Sequence, residues 1–136
     1  MRRLELKQIH VCQRCGRGRA DLASGSAVVM RVSLDPLRAR ELAGEEDPCV
    51  PWLSAFLLAQ LRREGREPHE VVIDLGPGGL RSLLSFSRAG EPEVLACTAQ
   101  EGLGVAVRGA LPLYATDEAL AHEASQSDPE PSDTVH

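Results

Sequence analysis

Hydrophobic residues fall in two alternating rhythms along this chain, a period of two and a period near four. Leu4, Leu6, Ile9 and Val11 nearly alternate with polar neighbours, with one slip between Leu6 and Ile9. This predicts a strand over residues 4–11 that carries a bulge. Arg17, Arg19 and the Ser24-Gly25-Ser26 turn lead to AVVMRVS at 27–33, rich in β-branched residues and read as a second strand. Asp35-Pro36 then places an N-cap before a first-turn proline, and Gly44 ends that helix after about two turns. Pro51 opens the longest periodic segment, where Leu53, Phe56, Leu57 and Leu61 make one apolar stripe that should face the core. Gln60, Arg62, Arg63 and Glu64 lie on the opposite side, and Gly65 stops the helix.

The second half is denser in turns. Residues 71–75 form a short apolar run, Gly76-Pro77-Gly78-Gly79 reverses the chain, and Leu80 to Ser87 returns antiparallel to it. A turn at 88–90 hands on to a strand at 93–97, which completes a three-stranded meander. Thr98 with Glu101 matches the S/T-x-x-E pattern of a helix start, and Gly109 is placed to stop that helix. Leu111 to Tyr114 is a short strand whose Pro112 cannot donate to a ladder, so it belongs at a sheet edge or a strand start. Thr116 and Asp117 cap a last helix, and the acidic, proline-containing stretch from Ser125 to His136 is expected to be disordered. The order β-β-α-α-β-β-β-α-β-α predicts a single α+β domain, a mixed or antiparallel sheet with helices packed on it. Residues 1–26 contribute a basic strand and a cysteine turn, and residues 27–124 the main body.

Composition narrows the chemistry. The chain has 136 residues, suited to one core. No apolar run approaches the roughly 20 residues of a membrane span, and the basic start lacks the apolar region of an export signal, so the cytoplasm is the expected compartment. The net charge of −5 conceals a polarity: residues 1–40 hold nine basic residues against three acids, and the remainder six against seventeen. Arg14, Arg17 and Arg19 are therefore candidates for contact with nucleic acid or an acidic partner, and a solvated basic face is the plain alternative.

Cys12-Gln13-Arg14-Cys15-Gly16 has the form of a zinc knuckle, in which glycine lets the backbone fold under two thiolates. It is half of a tetrahedral Zn2+ site, with His10 and Cys49 as candidate third and fourth ligands. A tight turn with two ordinary thiols and a redox pair are the other readings of the same motif. His69, His122 and His136 are scattered and read as surface residues. The glycine-rich turn at 76–79 lacks the Lys-Ser/Thr and the following helix of a phosphate loop.

From Pro51 to Ala124 the chain resembles the bifunctional nuclease family, small α+β proteins with DNase and RNase activity. The resemblance runs through PWLSAFLLAQLRREG, EVVIDL and above all VAVRGALPLYATDEALAHEA, where Arg108, Pro112, Tyr114 and Glu118 keep the family's order and spacing. The family's Thr-His-Asp-Leu helix start is replaced by Leu53, Ser54, Ala55 and Phe56. Its Asp-x-Arg-Pro-Ser-Asp-Ala string becomes Ala96 to Gly102, with Glu101 as the surviving acid. Phosphodiester hydrolysis needs a base or metal-held water and a cation on the phosphate, and these replacements remove the usual suppliers. The resemblance thus implies a catalytically reduced, self-associating member that binds nucleic acid or protein. The alternative is a nuclease using Mg2+ or Mn2+ with relocated residues: Glu101 and Asp74 with Arg81 or Arg108.

Overall fold

A computed structural model describes residues 1–45, 49 and 51–126. Its elements are β1 (Arg2–Val11), β2 (Gly18–Ser24), β3 (Ala27–Leu34), α1 (Pro36–Leu42), α2 (Leu53–Arg63), β4 (Arg66–Gly76), β5 (Gly79–Arg88), β6 (Glu91–Thr98), α3 (Ala99–Gly109), β7 (Leu113–Ala115) and α4 (Asp117–Gln126). The strands form one seven-stranded mixed sheet in the order β3-β2-β1-β7-β4-β5-β6. Its pairings are antiparallel except for β7 against β4.

β1 joins the two halves of that sheet. Arg2 to Leu4 pair with β7, and Glu5 to Val11 pair with β2. The register slips between Leu6 and Gln8, where the alternation of the sequence also slips. The bulge keeps Leu4 and Leu6 on the inner face, then returns Ile9 and Val11 to it after the skipped position.

The sheet curves around α3, which touches β3 near one edge and β4, β5 and β6 toward the other. Leu103, Val105 and Ala106 pack there against Leu4, Leu22, Met30, Val71, Ile73, Leu84 and Phe86. α4 spans from β3 to β4, with Ala119 fully buried. Two glycines let α3 approach so closely. A Cβ on Gly102 would lie 2.1 Å from the Ser82 side chain of β5. A Cβ on Gly109 would press on Leu58 of α2 at 3.3 Å.

Four sequence expectations change and one narrows. Gly18–Ser24 is a strand rather than a connection, because its polar residues are paired on the outer face while Ala20 and Leu22 are buried inside. The stripe of α2 is rotated: Ser54, Leu58 and Leu61 are buried, whereas Leu53 and Phe56 are exposed. α2 packs on α3 and β4, and Ser54 is held inward by a buried glutamate of α1. Gly109 is the last residue of α3, and the left-handed turn falls on Ala110 (φ 50°). β7 lies between β1 and β4, so of the two places expected for Pro112 it holds the strand start and not the sheet edge, and the open edges are β3 and β6. An edge at β7 could have paired with a second copy of the chain, but β1 and β4 already occupy both of its sides. Finally, α4 extends through Ser125 and Gln126. The rest of the expected tail, and Glu46 to Pro48 of the acidic loop, lie outside the described residues.

Candidate functional site

The outer face of the sheet carries one row that unites several candidate residues. Asp74 of β4 pairs with Arg81 of β5, and Arg81 with Thr98 of β6, so their side chains share a face. Asp74 accepts from the Leu75 amide at 2.7 Å, from Arg81 Nη2 at 3.2 Å and from the Thr116 hydroxyl at 3.3 Å. The Leu75 amide, followed by Arg81, holds its carboxyl below the usual carboxylate range. Thr116 also accepts from the Ala119 amide at 3.2 Å, so the same hydroxyl caps α4. Arg81 and Thr98 line a cleft of about 420 Å³ with the Gly76–Gly79 turn, Leu80, Ala96 and Cys97.

Glu101 stands in the first turn of α3, next to this row. Its amide donates to Thr98 Oγ1 at 3.2 Å, and its carboxylate is exposed. Burial, and then the charge of Glu101, push the Cys97 thiol up to about 11. Cys97 is consequently protonated at neutral pH and a poor nucleophile.

Arg108, the other candidate cation, is directed elsewhere, two helical turns along α3. Its Nε lies 3.3 Å from Oε2 of Glu41, a fully buried carboxylate on α1. Arg38 Nη1 reaches the other oxygen of Glu41 at 3.1 Å, and the Ser54 hydroxyl donates to Oε2. Gly104 leaves room for this group, since a Cβ there would stand 3.2 Å from Glu41 Oε1. Glu41 thus ties α1, α2 and α3 together. Gly104, inside an amphipathic helix, was its one sequence signal.

A second acid organises the outer face of the β1–β2–β3 half. Asp21 takes Gln8 Nε2 at 3.0 Å and His10 Nε2 at 2.8 Å on one oxygen, with Arg19 Nε at 3.1 Å and Arg31 Nε at 3.8 Å on the other. Desolvation would raise its pKa, but the Gln8 and His10 hydrogen bonds and the Arg19 charge outweigh it and lower it. A depressed carboxyl contributes stability that is complete above its unfolded value, about 3.9, and is lost as pH falls through the folded value. Asp21→Asn should therefore lower stability by about 1–3 kcal/mol at pH 7. Urea unfolding repeated at pH 3 should show a smaller difference from the parent chain.

The cysteine turn connects β1 to β2. The Cys12 amide donates to the Arg17 carbonyl at 2.7 Å and the Gly16 amide to the Cys12 carbonyl at 3.0 Å, with Gly16 at φ 76°. Cys12 and Cys15 approach to about 3.3 Å, and both are exposed. The set expected to surround a zinc ion is not brought together. His10 is engaged by Asp21, and among the described residues no group of three or more His, Cys, Asp or Glu is placed to hold a metal. Arg14 and Arg17 are exposed on the same turn, whereas Arg19 is drawn down onto Asp21.

His69 is exposed and bonded to Ser87 at 2.7 Å, a surface role as expected. No described helix is long and apolar enough to cross a membrane. Neither the family models nor the curated proteins compared with this chain contain a match to it.

Proposed function

We propose that this chain is a cytoplasmic, catalytically reduced relative of the bifunctional nucleases that binds nucleic acid through the basic β1–β2 turn. The observation that carries this reading is the use made of Arg108. A nuclease needs a guanidinium facing the phosphate, and this one is bound to the buried Glu41 at 3.3 Å. Arg14 and Arg17, in contrast, are exposed on the turn between β1 and β2, in the third of the sequence with excess positive charge. Phosphate contacts of this kind hold a polyanion without reading its bases.

Fluorescence anisotropy with single-stranded RNA and duplex DNA across a salt series tests it. The Arg14→Ala/Arg17→Ala chain should bind both more weakly, with a salt slope shallower by about 2 if each arginine meets one phosphate. Unchanged affinity in the double variant would defeat the proposal.

One arrangement favours a second reading. Arg81 and Thr98 line a cleft, Asp74 pairs with Arg81, and Glu101 stands one turn from Thr98 at the start of α3, a set of acids and a cation that could serve a metal-dependent nuclease. Plasmid and RNA cleavage in Mg2+ or Mn2+, abolished by Glu101→Gln, would establish it in place of the first. Self-association belongs to either reading, with β6 as its open edge, where Val94 and Leu95 are 62% and 42% exposed. A monomer by light scattering would eliminate that part.

A further inference from the structure

The Cys12–Cys15 turn has a chemistry that nucleic-acid binding does not use. Cys12 and Cys15 approach to about 3.3 Å across this turn. Both residues are exposed, so a reagent in solution reaches them without opening the fold. A structural metal would need two more ligands. Among the described residues none completes such a set, and His10 is already held by Asp21. What the turn does provide is two exposed cysteines about 3.3 Å apart, held by a tight turn that Gly16 closes at φ 76°.

We infer that Cys12 and Cys15 form a dithiol–disulfide exchange site for small-molecule disulfides, with Cys12 as the attacking sulfur and Cys15 as the resolving one. In the first step the Cys12 thiolate attacks one sulfur of the disulfide R–S–S–R. A Cys12–S–S–R bond forms, the R–S–S–R bond breaks, and one RS− leaves. In the second step Cys15 gives up its proton and attacks the Cys12 sulfur, forming the Cys12–Cys15 bond and expelling the second RS−. The two protein thiols are oxidised, the small disulfide is reduced to two thiols, and the two protons released by the cysteines end on those products. The Cys15 amide, the Cys15 thiol and the Arg14 amide lower the Cys12 pKa in that order, which raises the thiolate fraction available for the first step at neutral pH. Cys97, raised to about 11, stays out of the reaction. The site does not depend on the proposed nucleic-acid contact and is tested separately.

The test uses the full chain carrying Cys49→Ser, incubated at pH 7 with glutathione disulfide. Acid quenching, alkylation of remaining thiols and peptide mass spectrometry then follow its products. The parent chain should lose two hydrogens from the peptide that holds Cys12 and Cys15 and retain no glutathione. Cys15→Ser should stop at a stable glutathione adduct on Cys12. Cys12→Ser should form an adduct on Cys15 about tenfold more slowly or worse, because the activated thiolate is gone. Independent adducts on both cysteines of the parent chain, or equal rates in the two variants, would overturn the inference. So would zinc that co-purifies stoichiometrically and blocks both thiols until a chelator removes it, since the turn would then be a metal ligand pair.

Discussion

Glu41→Ala is expected to lower the unfolding free energy by about 3 kcal/mol, toward the lower end of the cost of breaking a buried ion pair. The Glu41 side chain is fully buried and receives Arg38, Arg108 and Ser54 from three helices. Its removal takes away the buried carboxylate that the Arg38 and Arg108 guanidiniums share. Arg38 is 10% and Arg108 21% exposed, so each has a partial route to water. That escape keeps the loss from reaching the upper end of the range. Urea unfolding followed by circular dichroism reads the effect, and Glu41→Gln should lose less because it preserves the shape and the Ser54 contact. A loss below about 1 kcal/mol in the alanine variant would mean that Glu41 does not tie the helices together. Against a typical domain stability of about 5–15 kcal/mol, the expected loss is a large share of what holds this chain folded.

Gly102→Ala should destabilise the chain by about 2 kcal/mol, even though alanine is the better helix former by about 1 kcal/mol. The added methyl would stand 2.1 Å from both Cβ and Oγ of Ser82 and 3.2 Å from Val71 Cγ1. Ser82 is itself fully buried, and its hydroxyl donates to the Ala99 carbonyl at 3.2 Å, so it cannot turn away without losing that bond. Helix and strand must separate instead. Pairing the change with Ser82→Gly tests the cause, because the double variant should recover about 1 kcal/mol or more relative to the sum of the two single changes. Additive losses would place the strain elsewhere.

The elements most legible in the sequence were those in which a residue acts on its own neighbours. Asp35 caps α1 by accepting the Arg38 amide at 2.8 Å, and Thr98 caps α3 through the Glu101 amide. The bulge in β1 coincides with the slip in the hydrophobic alternation. β2 was missed because Arg19 and Asp21 interrupt its apolar run. They are tolerated in a strand because Gln8, His10 and Arg31 from the two flanking strands meet the Asp21 carboxylate. The face of α2 was misjudged because Leu53, Phe56, Leu57 and Leu61 form an apolar stripe as regular as the one that packs. Ser54 faces inward because it bonds to Glu41.

The candidate site divided along the same line. Asp74, Arg81 and Thr98 became one row because hydrogen-bond register places distant residues side by side. Arg108 was claimed by Glu41, 67 residues earlier, a pairing that no local pattern announces. Sequence by itself determined the helix caps, the tight turns, the basic first third and the dithiol turn, since each depends on residues within a few positions of one another. Only the tertiary structure decided which arginines face solvent, which helix face is buried and where β7 inserts. Those outcomes depend on side chains competing for partners across the sheet and between helices, and the distances that decide that competition exist only once the chain has folded.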